Sequence, residues 1–148
     1  MDFNPIFKAM ILKASILIAE DDADDRFLLK TAFAENGYTE KIAFVENGVE
    51  VMNYLNDAGK TEYPSFILLD LNMPKKNGRE VLKEIKEHPD LKKIPVIIFT
   101  TTKNEMEINR CYELGANSYI VKPSSFDLLL KIIHQIRSYW LMTSATPM

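Results

Sequence analysis

Residues able to do chemistry sit where short apolar runs of this chain stop. In "ILIAEDDADDRFLL", Ile16 to Leu29, four Asp residues and a Glu fill all but one of the positions from Glu20 to Asp25, directly behind Ile16 to Ala19. Each carboxylate raises the cost of ionising its neighbours. Asp70 follows "FILL", Thr100 follows "VIIF", and Lys122 and Pro123 follow "SYIV". Carboxylates converge to advantage around a hard cation. Mg²⁺ takes oxygen ligands in a tight octahedron, keeps some of its waters and completes its shell with a few carboxylates and phosphate oxygens. Such an ion would relieve the repulsion at "EDD"; without it the carboxylates are expected to be coupled and their pKa values raised. A lone carboxylate beside it, Asp70, could then attack phosphorus, being ionised already and needing no general base. Lys122 would offer a positive charge to the phosphoryl oxygens, and Thr100 a hydroxyl to another of them.

Plainer readings compete. Acidic residues ahead of a helix serve as N-caps and macrodipole partners, the role expected of Asp24 and Asp25. Glu20 and Asp21, taken alone, fit either role. The joint placement of suitable groups at four strand ends is what favours a site.

Those groups need a scaffold that brings strand ends together. Short Val/Ile/Phe-rich runs alternate with stretches at helical spacing, which predicts βα units wound into a parallel sheet. The strands are expected at Ile16 to Ala19, Ile42 to Val45, Phe66 to Leu69, Val96 to Phe99 and Ser118 to Val121. "ILIA", "FILL" and "VIIF" are apolar throughout, as central strands covered on both faces should be. The helices are expected at Asp24 to Asn36, stopped by Gly37; Val49 to Asn56; Gly78 to Glu87, stopped by Pro89; from "TKNE", a capping box of Thr102 and Glu105, to Gly115; and Ser125 to about Leu141. The result is a doubly wound α/β domain with five strands and five helices. Ligands of such sheets bind beyond the carboxyl ends of the strands, where strand order reverses.

Composition narrows the function. The 148 residues carry a net charge of -3 and no Lys/Arg run, which argues against nucleic acid held by its phosphates. A lone cysteine, Cys111, allows no internal disulfide, and there is no zinc-ligand cluster. A reduced, cytoplasmic setting fits. The apolar opening "MDFNPIFKAMILKAS" is broken by Asp2, Pro5 and two lysines, and no run is long enough to span a bilayer, so no membrane association is expected.

Taken together, "ILIAEDD", "ILLDLNMPKKNG", "PVIIFTTTK" and "GANSYIVKP" resemble, in order and spacing, the receiver domain of two-component response regulators, over about Ser15 to Trp140. The resemblance implies a flavodoxin-like receiver topology, with residues 1–14 as an N-terminal extension, 15–141 as the receiver and 142–148 as a C-terminal tail. It implies Asp70 as phospho-acceptor, Asp21 as direct Mg²⁺ ligand, Glu20 as the acidic neighbour reaching the metal through water, and Asn72 as the position whose backbone carbonyl ligates the ion. Thr100 and Lys122 match the hydroxyl and lysine that hold the phosphoryl group. Pro123 matches a proline normally preceded by a cis peptide, which would aim Lys122 into the site. In this family phosphorylation shifts an existing equilibrium, Thr100 moving toward the phosphoryl group and the aromatic at Tyr119 turning inward. The output face would be the fourth helix, fifth strand and fifth helix. Thr101 stands where many relatives have Ala or Gly, and Asn72 and Thr102 lie where side chains tune dephosphorylation. Within the family, "LDLNMPKKNGREVLKEIK", "YELGANSYIVKP" and "SYWL" are similar to stand-alone receivers of the bacterial phytochrome response regulator type. The implied donor is a sensor histidine kinase or a histidine phosphotransfer protein, and the implied output is protein contact.

Other classes fit less well. A haloacid-dehalogenase-like phosphatase wants a second Asp two positions after its nucleophile, where this chain has Asn72. A flavodoxin-like binder needs a phosphate cradle where "EDDADD" would repel phosphate, and no P-loop motif is present. A degenerate receiver acting only as a docking module conflicts with the full set of site residues. His88 and His134 read as surface residues, Cys111 as core, and Lys75 and Lys76 as a solvated turn. On the fifth helix, Phe126, Leu129, Leu130, Ile133 and Ile136 form one apolar stripe. Leu128, Ile132, Tyr139, Trp140 and Leu141 lie off it and suggest a homodimer or kinase-docking surface. The alternative is that the extension, with Phe3, Ile6, Phe7, Met10 and Ile11, folds over this face.

Overall fold

The computed structural model describes residues 15–37, 41–59 and 62–144. Five strands, β1 Ser15–Ala19, β2 Lys41–Val45, β3 Phe66–Leu69, β4 Val96–Thr100 and β5 Ser118–Val121, form one parallel sheet in the order β2-β1-β3-β4-β5. The helices are α1 Ala23–Glu35, α2 Gly48–Asp57, α3 Gly78–Glu87, α4 Glu105–Glu113 and α5 Phe126–Arg137. A short 3₁₀ turn, Leu91–Lys93, precedes β4, and a wide π-type run, Ser138–Thr143, continues α5. The doubly wound α/β expectation holds, and every expected element is found with boundaries shifted by a few residues. The largest shift is at the end of α5, where regular α-helix gives way to the wider turns before Leu141.

Alternation along the strands makes two cores. On one face Leu17, Ala19, Ile67, Leu69, Val96 and Ile98 pack with Val51, Leu55, Val81, Leu82, Ile85 and Cys111 of α2, α3 and α4. On the other, Ile16, Ile18, Phe66, Leu68, Ile97 and Phe99 pack with Leu29, Ala32 and Phe33 of α1 and Leu129, Ile133 and Ile136 of α5. Each fully buried Leu, Ile or Phe contributes about 1.5–3 kcal/mol. These layers therefore supply enough stability to hold a charged cluster at one end of the sheet.

Local signals set most boundaries. Gly37 and Gly115 both have positive φ and end α1 and α4. Asn77 and Glu80 form a capping box at α3, and His88, extended ahead of Pro89, ends it. Two expected caps are corrected. The N-cap of α1 is Asp22, whose side chain accepts from Asp25 N, so neither Asp24 nor Asp25 caps it. The N-cap of α4 is Asn104, accepting from Met106 N and Glu107 N, in place of the Thr102–Glu105 box. Asn is the stronger of the two caps that "TKNE" offers. His88 also does more than sit at the surface: its Nδ1 accepts from Asp90 N and Leu91 N and so caps the 3₁₀ turn.

Of the apolar residues off the α5 stripe, Ile132, Trp140 and Leu141 pack partly against the α1/α5 core, leaving Leu128 and Tyr139 exposed. Trp140 meets Tyr139 edge-on, with ring centroids 4.9 Å apart. The N-terminal residues Phe3, Ile6, Phe7, Met10 and Ile11 lie outside the described residues, as does most of the C-terminal tail. No helix among the described residues is long and apolar enough to cross a membrane.

Candidate functional site

Strand order reverses at β1, which has β2 on one side and β3 on the other. The crevice at the carboxyl ends of β1 and β3 is therefore the expected site. Glu20 and Asp21 leave β1 there, and Asp70 leaves β3. Cross-strand bonds fix these ends: Glu20 N donates to the Val45 carbonyl at 3.0 Å, Asp70 N to Ala19 at 3.2 Å, and Lys122 N to Thr100 at 2.8 Å.

Lys122 is the hub. Its Nζ donates to Glu20 Oε2 at 2.7 Å, Asp70 Oδ2 at 2.9 Å and Asp25 Oδ2 at 3.0 Å, which uses all three of its donors. Burial acts to lower the Lys122 pKa, but the bonds to Glu20, Asp70 and Asp25 outweigh it and hold the pKa above its ordinary value. The ammonium is thus charged at neutral pH. Glu20 carries the opposite strain: burial pushes its carboxyl up to about 7, although Lys122 pulls it down, and Asp70 adds to the rise. One cation shared among several carboxylates leaves the cluster short of positive charge. For Glu20, the expected rise in pKa is found.

The other oxygen of Asp70, Oδ1, accepts from Asn72 N at 3.1 Å, so backbone and ammonium hold the carboxylate from both sides. Asp70 and Thr100 are buried, whereas Asp21, Asn72 and Thr101 are exposed, giving the site a buried floor and an open rim. Asn72 Nδ2 spans the rim, with long 3.4 Å contacts to Thr100 Oγ1 and Thr102 Oγ1. Tyr119 pairs with Ile98 in the sheet, and since Ile98 and Thr100 share a face, Tyr119 lies on that face too. Its hydroxyl donates to the Thr102 carbonyl at 2.7 Å, and burial pushes its pKa up to about 12.

A carboxylate oxygen from each of Glu20, Asp21 and Asp70 lies within 4.8 Å of the others. Opposite ligands of Mg²⁺ stand about 4.2 Å apart, so small side-chain rotations would close this all-oxygen set around such an ion. The donor set fits a hard cation. The expected cis bond before Pro123 is not found: no described peptide bond is cis. The trans form of an X–Pro bond is favoured by about 0.5–1 kcal/mol, and Lys122 reaches the carboxylates from it.

Four participants escaped the sequence reading. Asp25 binds Lys122, and the sequence marks it only as an acidic residue in the first turn of α1. Arg26 Nη1 donates to the Glu20 carbonyl at 2.9 Å while Nη2 pairs with Glu46 at 2.8 Å, a link between β1 and the β2–α2 loop that no local spacing announces. Gly78 and Gly48 back the Asp70 loop. A Cβ on Gly78 would stand 2.3 Å from the Asp70 carbonyl oxygen, and one on Gly48 2.1 Å from that of Lys76.

Residues 16–134 match the family model described as "Response regulator receiver domain". Response regulator Rcp1 of Synechocystis is 40% identical over 135 residues, covering 89% of this chain and 92% of that protein. The crystal structure of the phosphorylated cyanobacterial phytochrome response regulator RcpA superposes with a TM-score of 0.83 at 40% identity, over 91% of this chain and 99% of that one. The Mn²⁺-bound form of Rcp1 gives a TM-score of 0.81 at 39% identity, with the same two shares, 91% and 99%.

Proposed function

This chain belongs to the response regulator receiver domain family, and from that premise we propose that Asp70 accepts a phosphoryl group from a histidine of a sensor kinase or phosphotransfer protein. The observation that carries the reading is Lys122 Nζ bonded to both Glu20 and Asp70, at 2.7 and 2.9 Å, at the mouth of a three-carboxylate cluster. In the transfer, an Asp70 oxygen forms a bond to phosphorus while the phosphorus–nitrogen bond of the donor breaks, its electron pair staying on the imidazole nitrogen. Mg²⁺ bound by Glu20, Asp21, Asp70 and the Asn72 carbonyl would neutralise charge on the attacking and transferring oxygens. Lys122 then turns its charge to a phosphoryl oxygen, and the Thr100 hydroxyl donates to another. Asn72 N, already on Asp70 Oδ1, keeps the carboxylate oriented. The relatives described as phosphorylated and as Mn²⁺-bound support both halves of this reading.

The chain would thus catalyse only its own phosphorylation and dephosphorylation, turning over no metabolite, and would do so in the cytoplasm where its donors present their histidines. Output would run through Thr100 and Tyr119. As Thr100 turns to the phosphoryl group, Tyr119 gives up the Thr102 carbonyl and moves inward, altering the α4–β5–α5 face. The exposed Leu128 and Tyr139 suit a homodimer through the α5 region. Incubation with acetyl phosphate and Mg²⁺, read by intact-protein mass, tests the central claim. One phosphoryl addition, dependent on Mg²⁺ and absent in Asp70→Asn, is expected; labelling that persists in Asp70→Asn would overturn it.

A further inference from the structure

We propose that Asp25 is a positioning residue for phosphoryl transfer, holding the third N–H of Lys122 so that the ammonium stays aimed at Asp70. The inference rests on Asp70 as acceptor. A lysine stem has many rotamers and loses about 2 kcal/mol of side-chain entropy when fixed, so its aim must be maintained by contacts. Of the three acceptors on Lys122 Nζ, Glu20 and Asp70 also belong to the oxygen cluster suited to a cation, and Asp70 is itself the group to be phosphorylated. Their bonds to the lysine are the ones that chemistry disturbs. Asp25, at 3.0 Å, stands outside that cluster.

Its backbone is also well anchored. Asp25 N donates to the capping Asp22 Oδ1 at 2.9 Å, and the next residue, Arg26, binds the Glu20 carbonyl. The Asp25 side chain is 39% exposed and that of Lys122 only 11%, so the bond joins a mostly buried lysine to a carboxylate that reaches solvent. Both residues line a cleft between α1 and α5 whose other walls include Leu28, Phe99, Pro123 and Phe126. Once a cation and the phosphoryl group engage Glu20 and Asp70, an ammonium without Asp25 would swing toward that cleft and the water beyond it.

Asp25→Ala removes the acceptor, whereas Asp25→Asn keeps an amide oxygen there and removes only the charge. Initial phosphorylation rates of the full chain with acetyl phosphate and Mg²⁺ are measured against donor and metal concentration. Asp25→Ala is expected to lower the saturating rate about three- to tenfold, with half-saturating donor and Mg²⁺ concentrations within about twofold of wild type. Asp25→Asn should restore most of the rate. The Lys122 ammonium resonance in proton–nitrogen NMR, visible when its protons are held against exchange, should persist in Asp25→Asn and vanish in Asp25→Ala. A saturating rate in Asp25→Ala equal to or above wild type, equal impairment in both variants, or an unchanged ammonium signal would each overturn the proposal. The signal requires no phosphoryl transfer: an unlabelled wild type sinks the Asp70 reading, and a labelled wild type with an unimpaired Asp25→Ala sinks this one.

Discussion

Replacing Glu20 by Gln should make the protein more stable in the absence of metal, and increasingly so as the pH rises. Glu20 is 2% exposed, and its carboxyl is pushed from 4.5 to about 7, chiefly by burial. Below the lower value it is protonated in both folded and unfolded chains, and above the upper one it is ionised in both. Between them the unfolded chain releases the proton and the folded chain keeps it, so stability falls as pH climbs. The interval of 4.5 to about 7 corresponds to a loss on the order of 3 kcal/mol. Gln keeps an oxygen for Lys122 and does not titrate. Urea unfolding in EDTA, followed by far-ultraviolet circular dichroism across that interval, should therefore show the wild type losing about 3 kcal/mol relative to Glu20→Gln. Groups distant from the cluster cancel in the difference. Mg²⁺ at a hundredfold excess over its Kd would return about 2.7 kcal/mol to the wild type, nearly the whole deficit. A stability difference that stays constant with pH would refute the reasoning, because burial would then not be holding the proton on Glu20.

Two further outcomes are expected. Gly78→Ala sets a methyl 2.3 Å from the Asp70 carbonyl oxygen and 2.7 Å from Leu71 Cα, both backbone atoms, so it should cost about 1–3 kcal/mol in thermal unfolding and slow labelling of Asp70; unchanged stability and rate would show that the loop yields freely. Sedimentation should show a dimer that Leu128→Glu with Tyr139→Glu dissociates, and a monomeric wild type both with and without a phosphate mimic would remove the α5 interface.

Continuous apolar runs separated by stretches of period 3.6 exposed the fold, because a parallel sheet covered on both faces leaves runs such as "VIIF" that few other arrangements need. Glu20, Asp21, Asp70, Thr100 and Lys122 were legible for a related reason: each stands one or two steps past an apolar run. Asp25 was not, since a carboxylate in the first turn of a helix has a sufficient local explanation in the macrodipole. Arg26 was hidden more deeply, its partners Glu20 and Glu46 being brought together by the sheet alone. The caps of α1 and α4 were misassigned because each start offers more than one capable residue within three positions. The bond before Pro123 was inferred from family habit, with nothing in the neighbouring residues to require it.

The single tryptophan lies on one side of the sheet and the proposed switch on the other. Trp140 packs with the α1/α5 layer, whereas Tyr119 belongs with the α2–α4 layer. The molecule is thus divided optically as well as structurally. Indole emission reports how α5 and its wide terminal turn sit on their core, and is insensitive to a rearrangement confined to Thr100, Thr102 and Tyr119. A change in tyrosine absorbance on phosphorylation with steady tryptophan emission would mean that the signal stays within one layer. A simultaneous change in both would mean that it crosses the sheet to reach α5.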